Sequence, residues 1–160
     1  MIDKAGLAIL GNDSFLLESM HKKKGQNFLN DYVAYTVNST KCLGLKVINA
    51  GGAEFFKKGG ETFNLDDVVP SYGVSSRDIL TSLNKANEEL KIKHPLHVHC
   101  NNLGVPGNIK TILETIKTAE GRRMHLAHVQ FYGYDNKGKK GFSSGSVDLA
   151  DAVTKNLSLI

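Results

Sequence analysis

Two histidines stand two residues apart in Leu96-His97-Val98-His99-Cys100-Asn101-Asn102-Leu103-Gly104, an apolar-alternating run that breaks into a polar loop. Side chains on a strand alternate between faces, so His97 and His99 project to the same side. Two imidazoles on one face at the loop end of a strand are the beginning of a metal site, because neutral imidazole is a common zinc ligand. A second strand-like run, Met124-His125-Leu126-Ala127-His128-Val129-Gln130-Phe131, brings His128 to the corresponding end one unit later. The spacing leaves a second reading open, in which these are hydrogen-bonded interior histidines. His97 lies deeper in its strand, either as a partner that orients His99 or as a structural residue. Alternation along 124–131 predicts that His125 faces away from His128.

Other polar residues surround these. Asn101, Asn102 and Gln130 are candidates for orienting a carbonyl or amide of a substrate, or for holding their own loops. Lys57 and Lys58 follow Gly51-Gly52-Ala53-Glu54-Phe55-Phe56, and on residue type alone they are solvated charges. His21 and His94 suggest no role.

The elements that must position these groups alternate in type. Residues 5–10 read as a short strand, and Asp13 or Ser14 caps a helix to about His21. A second helix spans about Asn27 to Leu43, with Gly44 where a C-terminal cap belongs. Leu45 to Asn49 is a strand, and 53–73 reads as irregular. Ser75 or Ser76 caps a helix with Ile79, Leu80, Leu83, Ala86 and Leu90 on its apolar face. After the 96–100 strand, a helix beginning at Pro106-Gly107-Asn108 turns Ile109, Ile112, Leu113 and Ile116 inward. The 124–131 strand, a Gly/Lys/Ser loop and a helix from Val147 to Lys155, with Ser146 as its cap, follow, and 157–160 reads as another strand.

Strands alternating with helices at this spacing predict an α/β fold with a parallel sheet and helical crossovers. Two closures fit: an open doubly wound sheet, or part of a (β/α)8 TIM barrel. Neither GxGxxG nor GxxxxGK[ST] occurs after a strand, which weighs against a nucleotide-binding sheet. A complete barrel takes about 250 residues. With 160 residues and about five strands, we expect 1–160 to be an internal fragment of one barrel domain, with no second domain.

Composition excludes several classes. The chain is 41% hydrophobic and 22% charged, ordinary globular values. Its net charge of +4 comes from dispersed loop lysines such as 22–24 and 137–140, with no basic stripe interleaved with aromatics. We therefore expect no nucleic-acid partner. Cys42 and Cys100 have no framework spacing, so a reducing, cytoplasmic compartment is expected. No apolar run approaches the ~18 residues of a membrane span.

Three strings carry a family resemblance. They are Asn49-Ala50-Gly51-Gly52-Ala53-Glu54-Phe55-Phe56-Lys57, the segment Pro95 to Asn108 around His99-Cys100-Asn101-Asn102-Leu103-Gly104, and Gly121 to Phe131. Together with Val69-Pro70-Ser71-Tyr72-Gly73-Val74 and Gly141-Phe142-Ser143-Ser144-Gly145, they resemble the A subunits of formylmethanofuran dehydrogenases, members of the amidohydrolase superfamily. The resemblance implies a barrel with a binuclear zinc centre. It also implies formation or hydrolysis of N-formylmethanofuran from formate and methanofuran, during CO2 reduction to methane or C1 oxidation. It implies partner subunits, among them a tungsten or molybdenum subunit that handles formate. By motif position it assigns His99 and His128 as metal ligands and Lys57, or Lys58 one residue on, as the carbamylated lysine that bridges two metals.

Two features of that superfamily are missing from the chain. It has no His-x-His pair of a first strand, since the flanks of His97-Val98-His99 match the fifth. It has no strand-end catalytic aspartate, because Asp148 and Asp151 fall on a predicted helix. No catalytic residue is therefore assigned, and the chain alone is expected to bind metal weakly and to be inactive. The competing expectation is an inactive αβ module whose histidines are structural and which serves as a scaffold.

Overall fold

A computed structural model describes residues 5–156, so the strand expected at 157–160 lies outside the described residues. Four strands build the central sheet: β1 (Leu7–Ile9), β2 (Gly44–Ile48), β5 (Leu96–His99) and β6 (Met124–Leu126). They are all parallel and lie in the order β1-β2-β5-β6. Two small antiparallel pairs stand apart, β3 (Val68–Val69) with β4 (Val74–Ser75) and β7 (Tyr134–Asp135) with β8 (Ser143–Ser144).

The helices form where local chemistry starts them. Helix α1 (Ser14–His21) begins where the Asp13 carboxylate accepts the Leu16 N–H at 2.8 Å. Helix α4 (Ser76–Glu89) opens with a capping box, the Ser75 hydroxyl receiving the Asp78 N–H while the Asp78 carboxylate receives the Ser75 N–H. Helix α5 (Ile109–Thr118) follows Asn108, and α6 (Ser146–Lys155) follows Gly145, which holds the cap position expected of Ser146. Helix α2 (Gln26–Thr40) ends in a left-handed turn at Lys41, not at Gly44. Gly44 instead opens β2, where a Cβ would stand 2.8 Å from the Cβ of His94, so close packing is what requires glycine there.

Strand alternation sorts the sheet into two faces. Leu45, Val47, Leu96, Val98 and Met124 have no exposure and form the core with Ile79, Leu80 and Leu83 of α4 and Ile112 and Ile116 of α5. The other face carries Ile9, Lys46, Ile48, His97, His99 and His125, all partly exposed or exposed. Helices thus cover one face of the described sheet, and its strand order never reverses, whereas a doubly wound sheet reverses and has helices on both faces. The described residues form an open α/β sheet and not a closed barrel.

Two expectations about elements fail. Residues 53–73 are not irregular throughout, since Gly52–Lys57 forms helix α3 behind a left-handed Gly51. The 124–131 run is not one strand: β6 stops at Leu126, and Val129–Phe131 is a turn of 3-10 helix.

Candidate active site at the carboxyl ends of the strands

Parallel register places the chemistry in rows. Lys46, His97 and His125 are successive partners across β2, β5 and β6, while Ile48 pairs with His99 one step nearer the carboxyl ends. The His97 and His125 rings stack, with centroids 4.6 Å apart and planes 12° from parallel. His125 therefore shares the face of His97. The expectation that it faces away from His128 fails because the strand ends before alternation can reach residue 128.

The histidines form a continuous chain of contacts. His97 Nε2 lies 3.1 Å from His99 Nε2, and His99 Nδ1 lies 3.0 Å from His128 Nε2. A neutral imidazole donates at one nitrogen and accepts at the other, so this head-to-tail series is self-consistent. Burial is the largest influence on His97, followed by His125, His99 and Lys46, and together they push its pKa down to about 4. Burial, then Lys46 and His128, push His99 down to about 4 as well. Both rings are neutral near pH 7, with lone pairs able to bind a cation.

Strained turns deliver these side chains. The Ala127 N–H still donates to the Val98 carbonyl, but His128 then adopts φ 57° and ψ 34°, which swings its ring back over His99. Asn49 after β2 (φ 47°) and Asn102 after β5 (φ 60°) are also left-handed. Asn and His tolerate this region better than most residues. Hydrogen bonds hold the turns: the Asn49 N–H donates to the His99 carbonyl, and Asn12 Nδ2 donates to the Ile48 carbonyl at 2.7 Å. The Asn108 amide N–H donates to the carbonyls of Asn102 and Phe131, joining the loop after β5 to the loop after β6. A cavity of about 320 Å³ opens beside them, lined by Asn49, Phe56, Glu61, His99, Asn102 and Tyr132 among others.

The remaining sequence candidates separate. Asn101 and Asn102 are buried, and their amides are engaged by the chain itself. Asn101 Nδ2 donates to the Phe63 carbonyl and the Ser76 hydroxyl, and Asn102 Oδ1 accepts the Phe63 N–H at 2.8 Å. Gln130 is exposed on the 3-10 turn. Lys57 is exposed at the end of α3, and Lys58 pairs with Glu54 at 3.1 Å. Neither is on a strand. Lys46, by contrast, is half-buried on β2 and next to His97 in register. The sequence reading gave Lys46 no part, although in Gly44-Leu45-Lys46-Val47-Ile48 a single charge interrupts a buried strand.

The spacing of these donors can be compared with that of zinc ligands. Two imidazole nitrogens on one tetrahedral zinc stand roughly 3.4 Å apart, given metal–nitrogen distances of about 2.0–2.1 Å. The His99–His128 contact is close to that separation. Among the described residues, however, no group of three or more His, Cys, Asp or Glu side chains could hold a metal ion. Lys46 joins the donor set only if it is converted to a carbamate. Also among the described residues, no helix is long and apolar enough to cross a membrane.

No family model matches the chain. The A subunit of the formyltransferase/hydrolase complex Fhc of Methylorubrum extorquens is 48% identical over 134 residues, which cover 84% of this chain and 24% of that protein. Protein FwdA of Methanocaldococcus jannaschii is 34% identical over 166 residues, covering 97% of this chain and 29% of that protein. In the crystal structure of the FhcABCD complex of M. extorquens with methylofuran, one chain matches with a TM-score of 0.92 and 42% identity, over 99% of this chain and 30% of that one. This chain thus spans less than a third of the length of each relative it matches. Over nearly all of its own length it is homologous to part of the A subunits of the formyltransferase/hydrolase and formylmethanofuran dehydrogenase complexes.

Proposed function

We propose that this chain forms one arc of a metal-dependent (β/α)8 barrel that transfers a formyl group to or from the amine of a methanofuran-type carrier. The observation that carries the reading is the meeting of His99 and His128 at the ends of adjacent parallel strands, where such folds place their chemistry. The one-sided helix cover and unreversed strand order support the barrel arc. The balance is that of amide hydrolysis: water and an N-formyl amine give formate and the free amine, and the reverse is condensation.

In this reading His99 and His128 would be metal ligands, and Lys46, as its carbamate, would take the role that the resemblance assigns by motif to Lys57. A bound zinc pair supplies an activated water and polarises the formyl oxygen. His97 orients His99 through their 3.1 Å contact. Gln130, exposed near His128, contacts the carrier, while Asn101 and Asn102 fix the loops around it. The carrier assignment is supported by the methylofuran held in the homologous complex, and partner subunits by the four-subunit composition of that complex.

A second reading has one observation in its favour. The three imidazoles satisfy one another without any metal, as an inactive scaffold module would require. A chimera separates the two: residues 5–156 replace their counterpart in the Methylorubrum protein, and formyl transfer to the carrier is assayed. We expect an active chimera in which Lys46→Ala, His99→Ala or His128→Ala each lowers the rate by more than about 100-fold, the upper end of the loss seen when only a partner that orients a ligand is removed. An active chimera indifferent to His99→Ala would overturn the first reading in favour of the second.

A further inference from the structure

A second cavity, of about 560 Å³, lies at the opposite end of the sheet from His99 and His128, where the α4–β5 and α5–β6 connections enter the strands. Lys91, Lys93, Arg122 and Arg123 line it together with Asn84, Asn87 and one carboxylate, Glu88. The two guanidiniums are fixed in place. Arg122 bonds Glu88 at 2.8 Å and Glu120 at 2.7 Å, and Arg123 donates to the carbonyls of Ile92 and Lys93. Among the described residues no carboxylate pairs with Lys91 or Lys93.

The amides add an independent observation. Asn84 is 1% exposed and Asn87 3% exposed, yet Asn84 Nδ2, Asn84 Oδ1 and Asn87 Oδ1 have no hydrogen-bond partner in the chain. Asn87 Nδ2 alone is engaged, donating to the His94 carbonyl at 3.2 Å. Buried amides without partners destabilise a fold, and a leucine on this face of α4 avoids that cost. The histidine site at the other end of the strands makes no use of them.

We propose that this cavity binds a phosphorylated small molecule that also carries hydroxyl or N–H donors, of about nucleotide size. Lys91 and Lys93 meet the phosphoryl oxygens as mobile charges, and Arg123, held by carbonyls and not by a carboxylate, adds to the positive rim, while the charge of Arg122 is taken up by Glu88 and Glu120. The amides of Asn84 and Asn87 meet the polar groups of the remainder. The volume lies within the range of small-molecule sites, about 300–1,000 Å³. This inference does not depend on the formyl-transfer reading.

The test uses the full chain at physiological ionic strength, with AMP and inorganic pyrophosphate titrated separately and followed by amide NMR and calorimetry. AMP saturates at one per chain. Lys93→Glu weakens both ligands, and Asn84→Leu weakens AMP about tenfold, a factor equal to the loss of one hydrogen bond to a buried group, while sparing pyrophosphate. His99→Ala changes neither. If Asn84→Leu does not fold, shifts of the Asn84 and Asn87 side-chain NH2 resonances on adding AMP to the unaltered chain decide the matter. Failure of AMP to saturate, binding unchanged by Lys93→Glu, or NH2 resonances that stay still each overturn the proposal.

Discussion

His128 Nε2 stands 3.0 Å from His99 Nδ1, and the two rings meet edge to face at 89°. This contact couples the ends of two strands that the sequence separates by a whole helical crossover. It makes a prediction for divalent cations. Cobalt or zinc binds the isolated chain weakly, and His99→Ala or His128→Ala each reduces affinity about tenfold or more, whereas Lys57→Ala changes it less than about twofold. Cobalt absorption and competitive zinc titration measure this. Equal effects from Lys57→Ala and His99→Ala would return Lys57 to the site.

The depressed histidine pKa values predict acid sensitivity. His97 and His99 titrate near 4 in the fold and about 6.5 in an unfolded chain. Below the unfolded value the unfolded state binds more protons, so stability falls as pH drops from about 6.5 toward 4 and is insensitive to these groups above that window. Urea unfolding of the metal-free chain between pH 7 and 4 should show the slope, and His97→Gln should reduce it. An unchanged midpoint across the window would mean that water reaches both rings freely.

Asn102 is expected to matter more for folding than for chemistry. Asn102→Ala leaves the Phe63 N–H without its acceptor, removes the bond to Thr111 and places alanine at φ 60°, at a total cost of about 3 kcal/mol. Asn102→Gly keeps the backbone conformation and costs about 1 kcal/mol less. Thermal or chemical denaturation distinguishes the two. Equal stability of both variants would remove the backbone contribution.

Arg77 ties three parts of the chain together. Its guanidinium bonds both oxygens of Asp66, at 2.6 and 2.9 Å, and reaches Glu114 of α5 at 2.9 Å. The hydrogen bond from Arg77 is the first cause holding Asp66 below the usual carboxylate range, while for Glu114 the Lys117 bond comes first and Arg77 second. The groups are partly exposed, so Arg77→Ala should cost only about 1 kcal/mol. That loss should shrink in high salt, which denaturation at two ionic strengths would show.

Legibility in the sequence followed the range of the interaction. The caps at Asp13 and Ser75 were readable, each as one of two adjacent candidates, because a side chain meets a backbone group three residues away. The parallel sheet was readable because apolar strands alternate with amphipathic helices. His99 and His128 were placed at strand ends from spacing alone. The end of β6 at Leu126 was not readable: it depends on the last ladder bond to Val98 and on the left-handed turn at His128, which no local pattern announces. The same blindness to register hid Lys46, whose neighbour His97 lies on another strand. Helix α3 escaped notice because its six residues are too few to show a period.

Asn49, Asn102 and His128 follow three neighbouring strands, and all three take left-handed backbone angles that glycine adopts without strain. The cluster therefore sets stability against geometry at one end of the sheet. Glycine at residue 128 relaxes the turn but removes the imidazole, and glycine at 102 relaxes its loop but releases the Phe63 N–H that its amide holds. Relaxing the turn at residue 128 thus removes the ring that meets His99, and at residue 102 the lost hydrogen bonds outweigh the relief, so the strain at this end of the sheet is retained by the side chains it positions.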